Sequence, residues 1–120
     1  MSEIHETGKK GEELARGFLE NLDYKVLETN WRSGKHELDI ICMDKGVLVI
    51  VEVKTRRSNV FGEPETAVTK DKQKALIRAA NSYIFRKQMN CETRFDIVSV
   101  LISPKGQEIH HIIDAFYPTL

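Results

Sequence analysis

The sequence predicts an α/β domain in which a mixed β-sheet is flanked by two helices, and three observations predict it. Two stretches repeat apolar residues at helical spacing, one near the N-terminus and one in the second half of the chain. Between and after them lie runs dense in Val, Ile and other strand formers, giving the order α, β, ββ, α, ββ. A length of 120 residues suits one hydrophobic core, so residues 1–120 are read as a single domain, with no linker, internal repeat or low-complexity tract.

Leu14, Ala15, Phe18, Leu19 and Leu22 form the apolar stripe of a first helix from about Thr7 to Asn21, with Thr7 as its cap and Gly8, Gly11 and Gly17 weakening it. Tyr24 to Asn30 alternates loosely and reads as a short edge strand that ends in the polar stretch Asn30 to Lys35. ELDIICM from Glu37 to Met43 and VLVIVEVK from Val47 to Lys54 are strands, and Asp44, Lys45 and Gly46 supply a tight turn between them. Ser58 to Glu65 has loop composition. Leu76, Ile77, Ala80, Tyr83 and Ile84 mark a second helix from about Thr69 to Lys87. Arg94 to Ile102 is then a strand, Ser103 to Gly106 a turn, and Gln107 to Ile113 a last strand.

Hydrophobic residues make up 41% and charged residues 30% of the chain, which is ordinary for a folded domain. The longest apolar run, Val47 to Val51, is too short for a membrane span or a leader, so a cytoplasmic protein without a membrane partner is expected. Cys42 and Cys91 are too few and too far apart for a disulfide scaffold or a zinc finger, and read as buried thiols. The 18 cations balance the 18 anions, yet Lys70 to Lys87 holds six cations against Asp71 alone. Affinity for phosphate therefore has to come from a local patch.

The hairpin carries the chemistry. If it turns about Lys45 and Gly46, opposite residues have numbers summing to 91, which sets Asp39 across from Glu52 and Glu37 across from Lys54. Strand alternation puts Glu37, Asp39 and Ile41 on the face shared by Glu52 and Lys54, with Val53 on the other. A lone E-x-K on a strand is ordinarily a solvent-facing ion pair; Asp39, thirteen positions earlier across a hairpin, outweighs that reading. Two carboxylates directly opposite repel unless a cation sits between them, and all-oxygen ligands suit Mg²⁺ or Mn²⁺. The Lys54 ammonium would stabilise charge on a phosphate. Rotation of about 100° per residue turns Glu12 toward the sheet and Glu13 toward solvent.

The chain resembles the YraN family of endonuclease-like proteins and, more distantly, the archaeal Holliday junction resolvases and PD-(D/E)xK nucleases. The matching segments are GKKGEELA from Gly8 to Ala15, HELDII from His36 to Ile41, VEVKTR from Val51 to Arg56, FGEP from Phe61 to Pro64, the Lys72 and Gln73 region, and RFDIV from Arg94 to Val98. The resemblance implies a restriction-endonuclease-like fold, with Asp39 and Glu52 as metal-binding acids, Lys54 as catalytic lysine and Glu12 as an assisting helix carboxylate. Glu37 matches an acid of the family without a clear role, and His36 stands where the family pattern has Gly.

The expected function is thus Mg²⁺- or Mn²⁺-dependent endonuclease action on DNA, with branched DNA suggested by analogy and a homodimer left open. Arg56, Arg57, Lys70, Lys72, Lys74 and Arg78 are the expected nucleic-acid-binding residues. A non-catalytic nucleic-acid-binding module and a protein-interaction adaptor are the alternatives. Trp31, Tyr83 and Phe85 read as packing, His110 and His111 as incidental neighbours on opposite strand faces, Asp96 as a structural acid held by Arg94, and Gln73 as a polar residue on the inner margin of its helix.

Overall fold

The strands form one sheet in the order β1 (Lys25–Ser33), β2 (His36–Asp44), β3 (Val47–Arg57), β4 (Thr93–Ser103), β5 (Gly106–Phe116), with α1 (Glu3–Asn21) before β1 and α2 (Lys70–Lys87) between β3 and β4. The computed structural model describes residues 3–57 and 68–118, with side chains from Thr7 onward. The expected loop Ser58 to Glu65, including FGEP, lies outside the described residues. All neighbouring strands are antiparallel except β3 and β4, which run parallel. A parallel pair needs a long crossover, and α2 lies within it.

The β2–β3 hairpin forms because Lys45 and Gly46 both take positive φ, 49° and 86°, the turn whose twist matches that of paired strands. Its register runs from Asp44↔Val47 to Ile40↔Val51, the pairing expected from the sequence. As the central strand, β3 buries both faces, so Leu48, Val49, Ile50 and Val51 are all in the core. Val49 and Val51 join Ile40, Cys42, Val98 and Val100 under Ala15 and Leu19 of α1. Leu48 and Ile50 join Ile41, Phe95 and Ile97 under Leu76, Ala79, Ala80 and Tyr83 of α2. Each sheet face thus receives one helix, and each large aliphatic side chain buried there contributes about 1.5–3 kcal/mol. This is a restriction-endonuclease-like α/β architecture with a five-stranded mixed sheet.

Several elements outrun their expected ends. Residues Glu3 to Glu6 hold no Pro or Gly to stop α1, so Thr7 lies inside the helix instead of capping it. β1 continues through Trp31, whose ring meets Tyr83 edge-on at 5.1 Å and gives the polar-looking stretch a packing reason to remain extended. β3 pairs with β4 as far as Arg57↔Ile102, and β5 reaches Phe116, which stacks on Phe95 at 5.1 Å. Thr69 caps α2 by accepting the Lys72 N–H at 3.2 Å. Phe85 does not pack: it is 84% exposed, because it follows Tyr83 by two helical residues and therefore faces away from the sheet. Cys42 is buried, its thiol 3.7 Å from the Val49 carbonyl oxygen, while Cys91 is only partly buried.

His111 is not incidental. It is buried against Asp96, with its Nε2 2.7 Å from Asp96 Oδ2 and its ring edge-on to Phe18 and Tyr24. Asp96, wholly inaccessible, also accepts from Arg94 Nε at 2.9 Å, Arg94 Nη2 at 3.0 Å and the Asp114 N–H at 3.0 Å. Burial opposes its charge, but the bonds from His111, Arg94 and the Asp114 backbone outweigh burial and hold the carboxyl below its usual range. Arg94 reaches on to the Tyr24 hydroxyl at 2.8 Å and Asp44 at 3.3 Å, so this cluster ties β4 and β5 to the end of α1. Asp96→Asn should cost about 3–5 kcal/mol at pH 7 in urea unfolding. A depressed carboxyl stabilises the fold above the unfolded-state pKa, so the gap to wild type should shrink as pH falls below about 4.

Candidate metal centre

Regular pairing of β2 with β3 stops at Ile40↔Val51. Beyond that point the Val53 N–H donates to Asp39 Oδ2 at 2.9 Å, so a side chain takes over from the backbone ladder and wedges a carboxylate between the strands. Opposite Asp39, Asn30 adopts φ 53°, and the β1–β2 register skips it between Thr29↔Ile40 and Trp31↔Leu38. Simple alternation fails here, since Leu38 and Ile41 both pack toward α2. Asp39 consequently does not share a face with Ile41; it lines a cleft with Glu12 of α1.

Four acids meet around that wedge. Ligand oxygens of Glu12, Glu37 and Asp39 lie within 4.8 Å of one another. With the Asn30 amide oriented by its acceptors, its nitrogen donates to Glu37 Oε1 at 2.8 Å and Glu12 Oε1 at 3.1 Å. The other Glu37 oxygen meets Arg32 at 3.2 Å. Glu52, only 5% exposed, comes from the α2 side of β3 and its carboxyl lies close enough to that of Asp39 to disfavour charge there. Glu52 Oε2 also lies 3.6 Å from Lys54 Nζ and 3.7 Å from Lys72 Nζ. Burial first, then the charges of Glu52 and Glu12, push the Asp39 carboxyl up to about 8 against the opposing Val53 hydrogen bond. Negative charge on Asp39 is therefore disfavoured where it stands.

This donor set fits a hard divalent cation. Oxygens around one octahedral Mg²⁺ are about 3–4 Å apart, so Glu12, Glu37 and Asp39, whose oxygens lie within 4.8 Å of one another, would be the residues to hold such an ion, with Glu52 beside Asp39 outside that group. Glu12 reaches the site because α1 sits unusually close to β3. A Cβ built on Gly11 would fall 1.9 Å from Thr55 Oγ1 and 2.8 Å from two Thr55 carbons. The glycine that looks like a helix weakness lets the helix seat. Glu13, one residue on, is exposed.

The sequence-predicted residues divide in space. Asp39, Glu52, Lys54 and Glu12 come together, and Lys72 joins them through Glu52. Arg56 and Arg57 line a separate cleft between β3 and α1, where Arg57 Nη2 donates to Thr7 Oγ1 at 3.1 Å. Lys70, Lys74 and Arg78 are exposed on the side of α2 turned away from the sheet. Asn30 and Gly11 were not singled out as site residues; the only signals were an Asn in a strand pattern and a Gly in a helix pattern. His36 starts β2 opposite Ser33 and belongs to no acid cluster among the described residues.

The family described as "Uncharacterised protein family UPF0102" matches residues 11–100, a span from the Gly11 contact through most of β4. The chain belongs to the UPF0102 family, the YraN family its motifs resemble. A UPF0102 protein of Bacteroides thetaiotaomicron is 44% identical over 120 residues, covering 100% of this chain and 99% of the relative. One of Flavobacterium psychrophilum is 44% identical over 117 residues, covering 98% of each. One of Syntrophus aciditrophicus is 41% identical over 117 residues, covering 97% and 92%. The matched stretch contains Glu12, Asn30, Asp39, Glu52, Lys54 and Lys72.

Two predictions come from this geometry. The folded state holds the Asp39 proton more tightly than the unfolded chain, so in chelator this group favours folding most below about pH 4 and that contribution is lost as pH climbs to about 8. The chelator-treated protein should lose several degrees of Tm between pH 5 and 8, Asp39→Asn should lose less, and Mg²⁺ should restore the wild type more than the variant. Gly11→Ala should destabilise by about 1–3 kcal/mol and weaken Mg²⁺ binding measured by calorimetry. Adding Thr55→Ala, which removes the nearest oxygen and one methyl, should recover part of both losses.

Proposed function

We propose that this chain is a metal-dependent nuclease that hydrolyses phosphodiester bonds of DNA. The observation that carries the reading is the meeting of Asp39 and Glu52 in the opening between β2 and β3, with Lys54 beside Glu52 and Glu12 and Glu37 behind Asp39. An acid pair set between two strands, one member buried and the other half-buried, is unfavourable to folding unless it serves a cation. Mg²⁺ or Mn²⁺ bound there would polarise the phosphate and lower the pKa of an attacking water.

The chain's own residues supply the rest. The Val53 N–H fixes Asp39, and Lys54 and Lys72 hold Glu52, so the two carboxylates offer oxygens at a set spacing. The Lys54 ammonium, partly exposed at 3.6 Å from Glu52, is placed to stabilise negative charge developing on a phosphate oxygen, and Lys72 approaches from the α2 side. Glu12 and Glu37, joined by the Asn30 amide, keep the helix end of the site in register with the sheet. Arg57 serves the backbone on the α1 side, while Lys70, Lys74 and Arg78 face outward from α2. Branched DNA as the substrate form rests on the analogy with the junction resolvases alone.

The test is cleavage of a fluorescent four-way junction beside a linear duplex, with Mg²⁺ and Mn²⁺ titrations. Asp39→Asn and Glu52→Gln should each lower the rate by about 10³-fold or more while binding stays within a few fold, and Lys54→Ala should lower it by about 10²-fold. Binding should weaken as salt rises. Cleavage unchanged in Asp39→Asn would overturn the proposal, and wild-type binding without cleavage under any of these metals would assign the passive nucleic-acid-binding role instead.

A further inference from the structure

Two glycines stand in neighbouring turns of α1, and they have different surroundings. Gly11 is packed against Thr55, whereas a Cβ at Gly8 would meet nothing within 4 Å. A glycine inside a helix is costly relative to alanine, and close packing does not account for this one. What Gly8 borders is a cleft of about 410 Å³ between α1 and the end of β3, with Thr7, Arg56 and Arg57 around it and Glu12 on the wall toward the acids. Gly17 is equally open but lines neither this cleft nor the one that contains Asp39.

We infer that this cleft is a phosphate subsite, holding the nucleotide phosphate next to the bond that is cut, with Arg57 as its cation and Thr7 as a hydroxyl donor. This deepens the nuclease reading and rests on it for the word "next". Arg57 Nη2 donates to Thr7 Oγ1 at 3.1 Å, an arrangement that directs the guanidinium across the cleft and leaves the hydroxyl hydrogen of Thr7 to point elsewhere. A planar guanidinium presents paired donors that match two phosphate oxygens, and strand alternation sets Arg57 on the α1 side of β3 with Val53 and Thr55 while the neighbouring Arg56 side chain turns to the other face. Thr55 and Val53 form the floor, so the ligand is shielded from one side. Glu12 lines both this cleft and the one that contains Asp39, which makes the two compartments adjacent along a single strand of nucleic acid. The volume admits a nucleotide, and bare helix at Gly8 is what keeps the mouth wide.

The experiment is an amide NMR titration of the whole chain with inorganic phosphate and with thymidine 5′-monophosphate, in chelator, where cleavage plays no part. Shifts should centre on Gly8, Thr55 and Arg57 and saturate in the millimolar range. Arg57→Gln should weaken binding about tenfold, and Gly8→Leu, which fills the mouth, should abolish it. Gly17→Ala should raise Tm and leave the shifts in place. A short oligonucleotide with a 5′-phosphate is compared with its 5′-hydroxyl form: equal affinity assigns an internal diester to the cleft, and a clear preference for the phosphorylated form assigns a strand end. Shifts centred on Lys70, Lys74 and Arg78, or unchanged by Arg57→Gln, would overturn the subsite. If Gly8→Leu does not fold, Arg57→Gln alone decides. Because metal is absent throughout, loss of this subsite and loss of the nuclease reading are separate results.

Discussion

The bond from the Val53 N–H to Asp39 Oδ2 is the constraint on which the rest of the site depends. A central strand cannot leave a backbone donor unsatisfied, yet β2 must part from β3 if anything is to enter between them. A carboxylate that accepts the orphaned N–H meets both demands. It closes the hydrogen-bond inventory of the sheet and, by the same contact, places an acid at the opening. Asn30 in its left-handed conformation makes room on the β1 side, and the slip in alternation lets Leu38 stay in the α2 core while Asp39 looks toward α1.

The energetics of the two buried acids separate structure from site. Asp96 is wholly buried and surrounded by donors, so its charge is favoured and it binds two strands and the α1 end together. Asp39 is largely taken out of water with one backbone donor and two acids close by, so its charge is disfavoured. Identical side chains thus play opposite parts. One is favourable as it stands and the other is not, the kind of imbalance that functional sites concentrate.

Much of the architecture was legible in the residues. The Lys45–Gly46 turn and the alternation of VLVIV determine the hairpin register, and the apolar stripes of both helices determine which side of each meets the sheet. What escaped depends on contacts between residues remote in sequence. Trp31 extends β1 only because Tyr83 waits for it, and His111 has a role only because Asp96 and Tyr24 surround it. The bringing together of Asp39 and Glu52 followed from register, but the side each comes from did not, because no periodicity encodes the skipped position at Asn30. The cations were legible as a set and not as a surface: helix rotation separates Lys72 from Lys70, Lys74 and Arg78, and the sheet separates these from Arg57.

Cys42 sits two residues from the last regular β2–β3 pair, Ile40↔Val51, in the middle of that ladder, and its environment has a consequence for thiol chemistry. Burial pushes its thiol up to about 12, and the sulfur faces the Val49 carbonyl across the hairpin. Thiolate, the reactive form, is therefore scarce while α1 stays docked over it. Alkylation of Cys42 is limited by how often α1 lifts from this face of the sheet, so the rate at which the folded protein takes up a thiol reagent at that position is a clock for transient undocking of the helix that carries Glu12.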